Sequence, residues 1–173
     1  MRMKSTTKKI TLCGIFAALC IAFLYIGGFT VADLSVLIIC AIMTMIVLVE
    51  TGEKYAWMYV GVTGVLALLL LPSKLYALEY ITLAAVYPIL KMHFERMRSL
   101  FAWLVKISTL DCMLMLLILL GQYVFMAGDE FFALSTVTVI IGTLFFVLYD
   151  FCLSACITLY IVKLRKRFAK NKI

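Results

Sequence analysis

The sequence predicts an all-α, polytopic membrane protein: one domain of six transmembrane helices, with both termini on the cytoplasmic side. Three observations predict it. Of the 173 residues, 66% are hydrophobic and 14% charged, with a mean hydropathy of +1.14; a soluble domain averages about a quarter charged residues. The apolar residues gather into long stretches divided by short polar links. Threaded in and out of a bilayer six times, the chain leaves all of its 16 Lys and Arg residues but Lys74 on one side, the asymmetry that sets the orientation of membrane proteins.

The first span is Ile10 to Phe29. About 20 apolar residues rising ~1.5 Å each cross a ~30 Å hydrocarbon core. Arg2, Lys4, Lys8 and Lys9 precede it and hold the N-terminus inside. A cleaved signal peptide is the competing reading. No small-x-small cleavage site follows, and the apolar part is longer than a usual signal core, so the stretch reads as a retained helix. Gly14, Ala18 and Ala22 recur every four residues and stack on one helix face. Such a stripe lets a second helix approach closely, which drives association in lipid.

The second span is about Leu34 to Val49, after the link Gly27-Gly28-Phe29-Thr30. The third is about Tyr55 to Leu71, closed by Pro72-Ser73-Lys74. The fourth, Leu75 to Leu90, is short and contains Glu79, and Tyr76 and Tyr80 suit its interfacial end. Pro88 either kinks this helix and frees a carbonyl or is accommodated by neighbours. The fifth runs from Ser99 to Ala127. The sixth, Phe131 to Val162, is long enough to tilt or to bend near Gly142. Lys106 on the fifth helix is expected to snorkel to the inner surface. Asp33, Glu79, Asp129 and Glu130 fall in or beside the outer links. A five- or seven-span layout would put one basic terminus outside.

The net charge of +7 invites a nucleic-acid reading. The basic residues instead sit at both termini and in alternate links, where topology wants them, so no nucleic-acid partner is expected. Cys13, Cys20, Cys40, Cys112, Cys152 and Cys156 all lie in apolar stretches without CxxC spacing, and His93 stands apart from them. They read as small packing residues, with neither a disulfide framework nor a metal site expected. Cys152 and Cys156 share a helix face.

Two acids lie inside spans. Asp111 and Asp150 are each ~18 Å from the inner end of their helix at the helical rise, so antiparallel packing would bring them to similar depth. An intramembrane acid faces the bundle interior, a cavity or a partner. One reading is a binding site for a polar or cationic solute, with Gln122 and Tyr123 as further polar partners towards the outer side. The other is interhelical hydrogen bonding that ties helices together. A remote third reading is an intramembrane aspartyl protease: Tyr149-Asp150 matches the YD half of its signature. The GxGD half is missing, since Asp111 sits in Ser108-Thr109-Leu110-Asp111. No P-loop, nucleophile elbow, HExxH or kinase motif occurs. The chain is therefore expected not to be an enzyme, to need no cofactor, and to depend on an external motor for any active transport.

Thr6-Thr7-Lys8-Lys9-Ile10 followed by Gly14-Ile15-Phe16-Ala17-Ala18-Leu19-Cys20-Ile21-Ala22 resembles the start of the substrate-binding S components of energy-coupling factor (ECF) transporters. In that family an AxxxA stripe on the first helix contacts a transmembrane coupling subunit. Ala18 and Ala22 match it, and Gly14 extends it. The resemblance implies a six-helix protein of a bacterial cell membrane that binds a vitamin-like micronutrient from outside. It also implies three partners, the coupling subunit and two cytoplasmic ATPases. The competing reading is a non-transporting scaffold resembling rod-shape-determining membrane proteins, in which the same stripe holds a permanent partner and no solute pocket exists.

Overall fold

The computed structural model describes residues 6–30, 33–94, 99–123 and 136–160. Asp129, Glu130, Arg96, Arg98 and the basic tail from Lys163 onward lie outside these residues. All regular structure among the described residues is helical. The elements are α1 (Thr6–Gly27), α2 (Asp33–Thr51), α3 (Glu53–Leu70), α4 (Lys74–Glu79), a π-helical segment (Tyr80–Val86), α5 (Tyr87–Phe94), α6 (Ser99–Tyr123) and α7 (Thr136–Leu159). From α4 to α5 the helix is unbroken, one rod from Lys74 to Phe94. Among the described residues, four helices are long and apolar enough to cross a membrane: Thr6–Gly27, Asp33–Thr51, Lys74–Phe94 and, within α7, Gly142–Leu159. The chain is an all-α, multi-helix protein of polytopic membrane character.

The core sits around α2, which packs against α1, α3, the π-segment, α5 and α7. Its buried positions run on more than one face, from Leu37 and Cys40 to Leu48 and Thr51. Thr44 and Thr51 are fully buried yet satisfied, because each hydroxyl donates to the carbonyl four residues back, at 3.0 and 2.8 Å. By contrast, α1 buries a single stripe: Ala17, Cys20, Leu24 and Gly27. At Gly142 an added Cβ would meet Leu114 Cδ1 at 3.0 Å. This glycine therefore serves the close approach of α6 to α7.

Each helix end has a local cause. A single residue, Gly52, joins α2 to α3 with φ 96° and ψ 170°, a region open essentially to glycine alone. Beyond α3, Leu71 is extended and Ser73 caps α4 by accepting from the Tyr76 amide at 3.3 Å. Lys74, the cation that the sequence reading leaves on the outer side, donates to the carbonyls of Leu68 and Leu71 at 2.7 and 3.0 Å. It closes the C-terminus of α3, where free carbonyls and the helix dipole favour a cation.

The π-segment follows from Pro88. Proline has no amide hydrogen and crowds the carbonyl four residues back. The chain widens one turn ahead of it, and the Tyr87 amide donates to the Thr82 carbonyl, five residues back. The Leu83 carbonyl is thereby left without its usual donor: Tyr87 is committed to Thr82, and the next amide in the widened register would be that of Pro88. The Tyr149 hydroxyl of α7 fills the gap, donating to Leu83 O at 2.8 Å.

Candidate functional site

The chemistry-bearing residues converge on Asp150. Tyr87 and Lys91 are four residues apart on α5 and share a face; Asp150 and Ser154 do the same on α7. The Tyr87 hydroxyl donates to Asp150 Oδ1 at 2.6 Å. Lys91 Nζ donates to the same oxygen, to the main-chain carbonyl of Asp150 at 2.6 Å and to Ser154 Oγ at 2.7 Å. From α6, Lys106 Nζ reaches Asp150 Oδ2 at 3.2 Å. Ser154 in turn donates to the Asp150 carbonyl at 2.9 Å. The Tyr87 and Tyr149 rings meet beside these contacts, with centroids 5.9 Å apart and planes tilted by 43°.

Burial gives these contacts their weight. Lys91 is 0% exposed, Asp150 4% and Lys106 8%. A charged group in an apolar interior persists only when paired and hydrogen-bonded. Here one carboxylate accepts from three side chains on two other helices. The cluster clasps α5, α6 and α7, and its carboxylate is already well supplied with donors.

The structure places the other expected site residues elsewhere. Asp111 accepts from Thr143 Oγ1 at 2.9 Å, a second tie between α6 and α7. Thr143 precedes Asp150 by seven residues, roughly 10 Å along α7 at the helical rise. The two acids thus anchor different levels of the α6–α7 pair. Gln122 and Tyr123 end α6, 11 and 12 residues beyond Asp111, or roughly 17 and 18 Å at the helical rise; their side chains lie outside those the structure describes. Two surface clefts of about 320 and 520 Å³ run along α1 and α6, and neither is lined by Asp111 or Asp150.

The stripe of α1 faces outward. Gly14, Ala18 and Ala22 are all exposed, on the far side of the helix from Ala17, Cys20 and Leu24. A Cβ added to Gly14 would meet nothing within 4 Å. No partner from this chain occupies that face among the described residues.

Sequence reasoning missed Lys91, Lys106, Tyr87 and Ser154 as one constellation. It placed Lys91 in an inner link and sent Lys106 to the membrane surface, whereas both turn inward to Asp150. The signal was present as two i, i+4 polar pairs, Tyr87/Lys91 and Asp150/Ser154, the first straddling the expected end of the fourth span. Compared with known proteins, the chain matches no family model, no curated protein and no solved structure.

Proposed function

We propose that this chain is the membrane-embedded, solute-binding subunit of an ECF-type transporter, taking up a vitamin-like micronutrient with energy supplied by separate subunits. The observation that carries the reading is the outward-facing stripe Gly14, Ala18 and Ala22 on α1. Small residues on a lipid-facing helix surface have little packing value to the bundle itself. They acquire it when another helix lies against them. In this reading the chain crosses the membrane six times with both termini inside. It carries no catalytic centre, and the stripe meets a transmembrane coupling subunit attached to two ATPases. Asp111, with Gln122 and Tyr123 towards the outer end of α6, contacts the solute. Asp150, whose carboxylate already accepts three donors, is the less available of the two acids and holds the helices beneath.

The test is thermal unfolding of the purified protein against a vitamin panel, paired with co-purification of a coupling subunit. A ligand that raises the melting temperature, weakened by Asp111→Asn, supports the reading. Absence of both a stabilising ligand and a coupling subunit refutes it. One observation favours the scaffold alternative: the cluster around Asp150 is closed, and the two clefts do not reach it. A stable complex through the stripe with no stabilising solute would select that alternative.

A further inference from the structure

The cleft of about 320 Å³ along α1 changes character from one end to the other. Thr7, Lys8 and Thr11 line its start, and Leu12, Ile15 and Phe16 line the rest. Thr7, Thr11 and Ile15 make one i, i+4 row and Lys8, Leu12 and Phe16 the next, so the lining is a single strip of the helix surface. One edge of the strip is firm and the other open. Leu12 and Phe16 are half-buried and pack against the core, whereas Ile15 is 57% exposed. From Thr7 to Phe16 the strip runs roughly 13 Å at the helical rise. One leaflet of a ~30 Å hydrocarbon core is about as deep.

The polar end supplies donors and one positive charge, and its lining holds no carboxylate. The two adjacent lysines part ways. Lys9 Nζ lies over the Tyr55 ring of α3, 5.0 Å from its centroid. Lys8 is exposed and lines the cleft. The Thr11 hydroxyl spends its hydrogen on the Thr7 carbonyl at 2.9 Å. Among the described residues, neither the Lys8 ammonium nor the Thr7 hydroxyl has a partner. These two groups are the donors left to the cleft.

We propose that this cleft binds one anionic glycerophospholipid, its phosphate held by Lys8 Nζ and the Thr7 hydroxyl, with an acyl chain laid along Leu12, Ile15 and Phe16. A single cation at the head of an apolar strip one leaflet long matches an amphiphile with an anionic head and a hydrocarbon tail. A soluble anion would leave the strip unused, and a lipid without net charge would leave Lys8 unmatched. Head and tail together therefore select the lipid. Only the choice of leaflet rests on the termini-inside layout. That layout makes it the cytoplasmic one, where anionic lipids attract lysines. The site stands or falls independently of the transporter reading.

The experiment uses the full-length protein, delipidated in detergent, and native mass spectrometry with phosphatidylglycerol or phosphatidylcholine of the same acyl chains. One phosphatidylglycerol per chain should be retained in preference to phosphatidylcholine, and inorganic phosphate should not displace it. Lys8→Gln should weaken retention about fivefold, the worth of one lysine at an anionic lipid surface. Ile15→Trp puts bulk into the strip and should weaken it too. Lys54→Gln changes an exposed lysine at the start of α3, outside the cleft, and should leave retention unchanged. Melting curves identify any variant that fails to fold. Lys8 is exposed, so Lys8→Gln carries the test alone if Ile15→Trp does not fold. Equal retention of the two lipids, displacement by inorganic phosphate, or equal losses in Lys8→Gln and Lys54→Gln overturns the site.

Discussion

At the scale of single residues, the decisive group is Lys91. Its ammonium donates to three acceptor atoms on α7, two on Asp150 and one on Ser154. Lys91→Met would leave the Asp150 carboxylate buried without its nearest cation. Removing one partner of a buried pair costs about 3–5 kcal/mol, so the variant should melt far below the parent in detergent. The double variant Lys91→Met/Asp150→Asn should recover part of that loss, and a thermal double-mutant cycle measures how much. Equal losses in the single and double variants would show that the pair is not the clasp. Tyr149→Phe is a cleaner probe, because it removes one oxygen and leaves the Leu83 carbonyl unfilled. The expected loss is about 1–3 kcal/mol.

At the scale of elements, the bends and breaks follow from a few residues whose backbone chemistry leaves little choice. Pro88 was visible as a disturbance in the fourth span. What it does, widening Tyr80–Val86 into a π-turn that recruits Tyr149 from α7, depended on a neighbour 61 residues further along the sequence. Gly52 was not singled out in the sequence, because its role appears only as a φ of 96° in a one-residue link. Gly52→Ala should therefore cost about 1–3 kcal/mol, read as a lower melting temperature. An unchanged melting temperature would mean that the link can adopt another turn.

At the scale of the whole molecule, two tests bear on the bundle and its exterior. Ala18→Trp adds bulk to an exposed face, so the isolated protein should keep its melting temperature while losing association with a coupling subunit. Loss of fold together with association would instead assign the stripe to internal packing. Topology is tested with single cysteines in a background without native ones. An impermeant reagent should label position 29, in the α1–α2 link, and leave position 54, at the start of α3, unmodified in intact cells. Labelling at position 54 would overturn the six-span, termini-inside layout.

The sequence by itself determined that the chain is all-helical and of membrane character. Hydropathy acts residue by residue, and a run of apolar side chains satisfies its backbone in lipid only as a helix. It also determined that Asp111 and Asp150 need partners, since an acid in an apolar span is never neutral to packing. Which partners they take was decided by tertiary structure alone. Asp150 takes Tyr87, Lys91 and Lys106, and Asp111 takes Thr143. The register between antiparallel helices depends on how side chains interlock across the interface, as where Gly142 admits Leu114. The same holds for Cys20 and Cys40: 20 residues apart and without a motif, they meet because a hairpin folds one helix back upon the other. Spacing rules detect partners that are near in sequence, and this pair is near only in space.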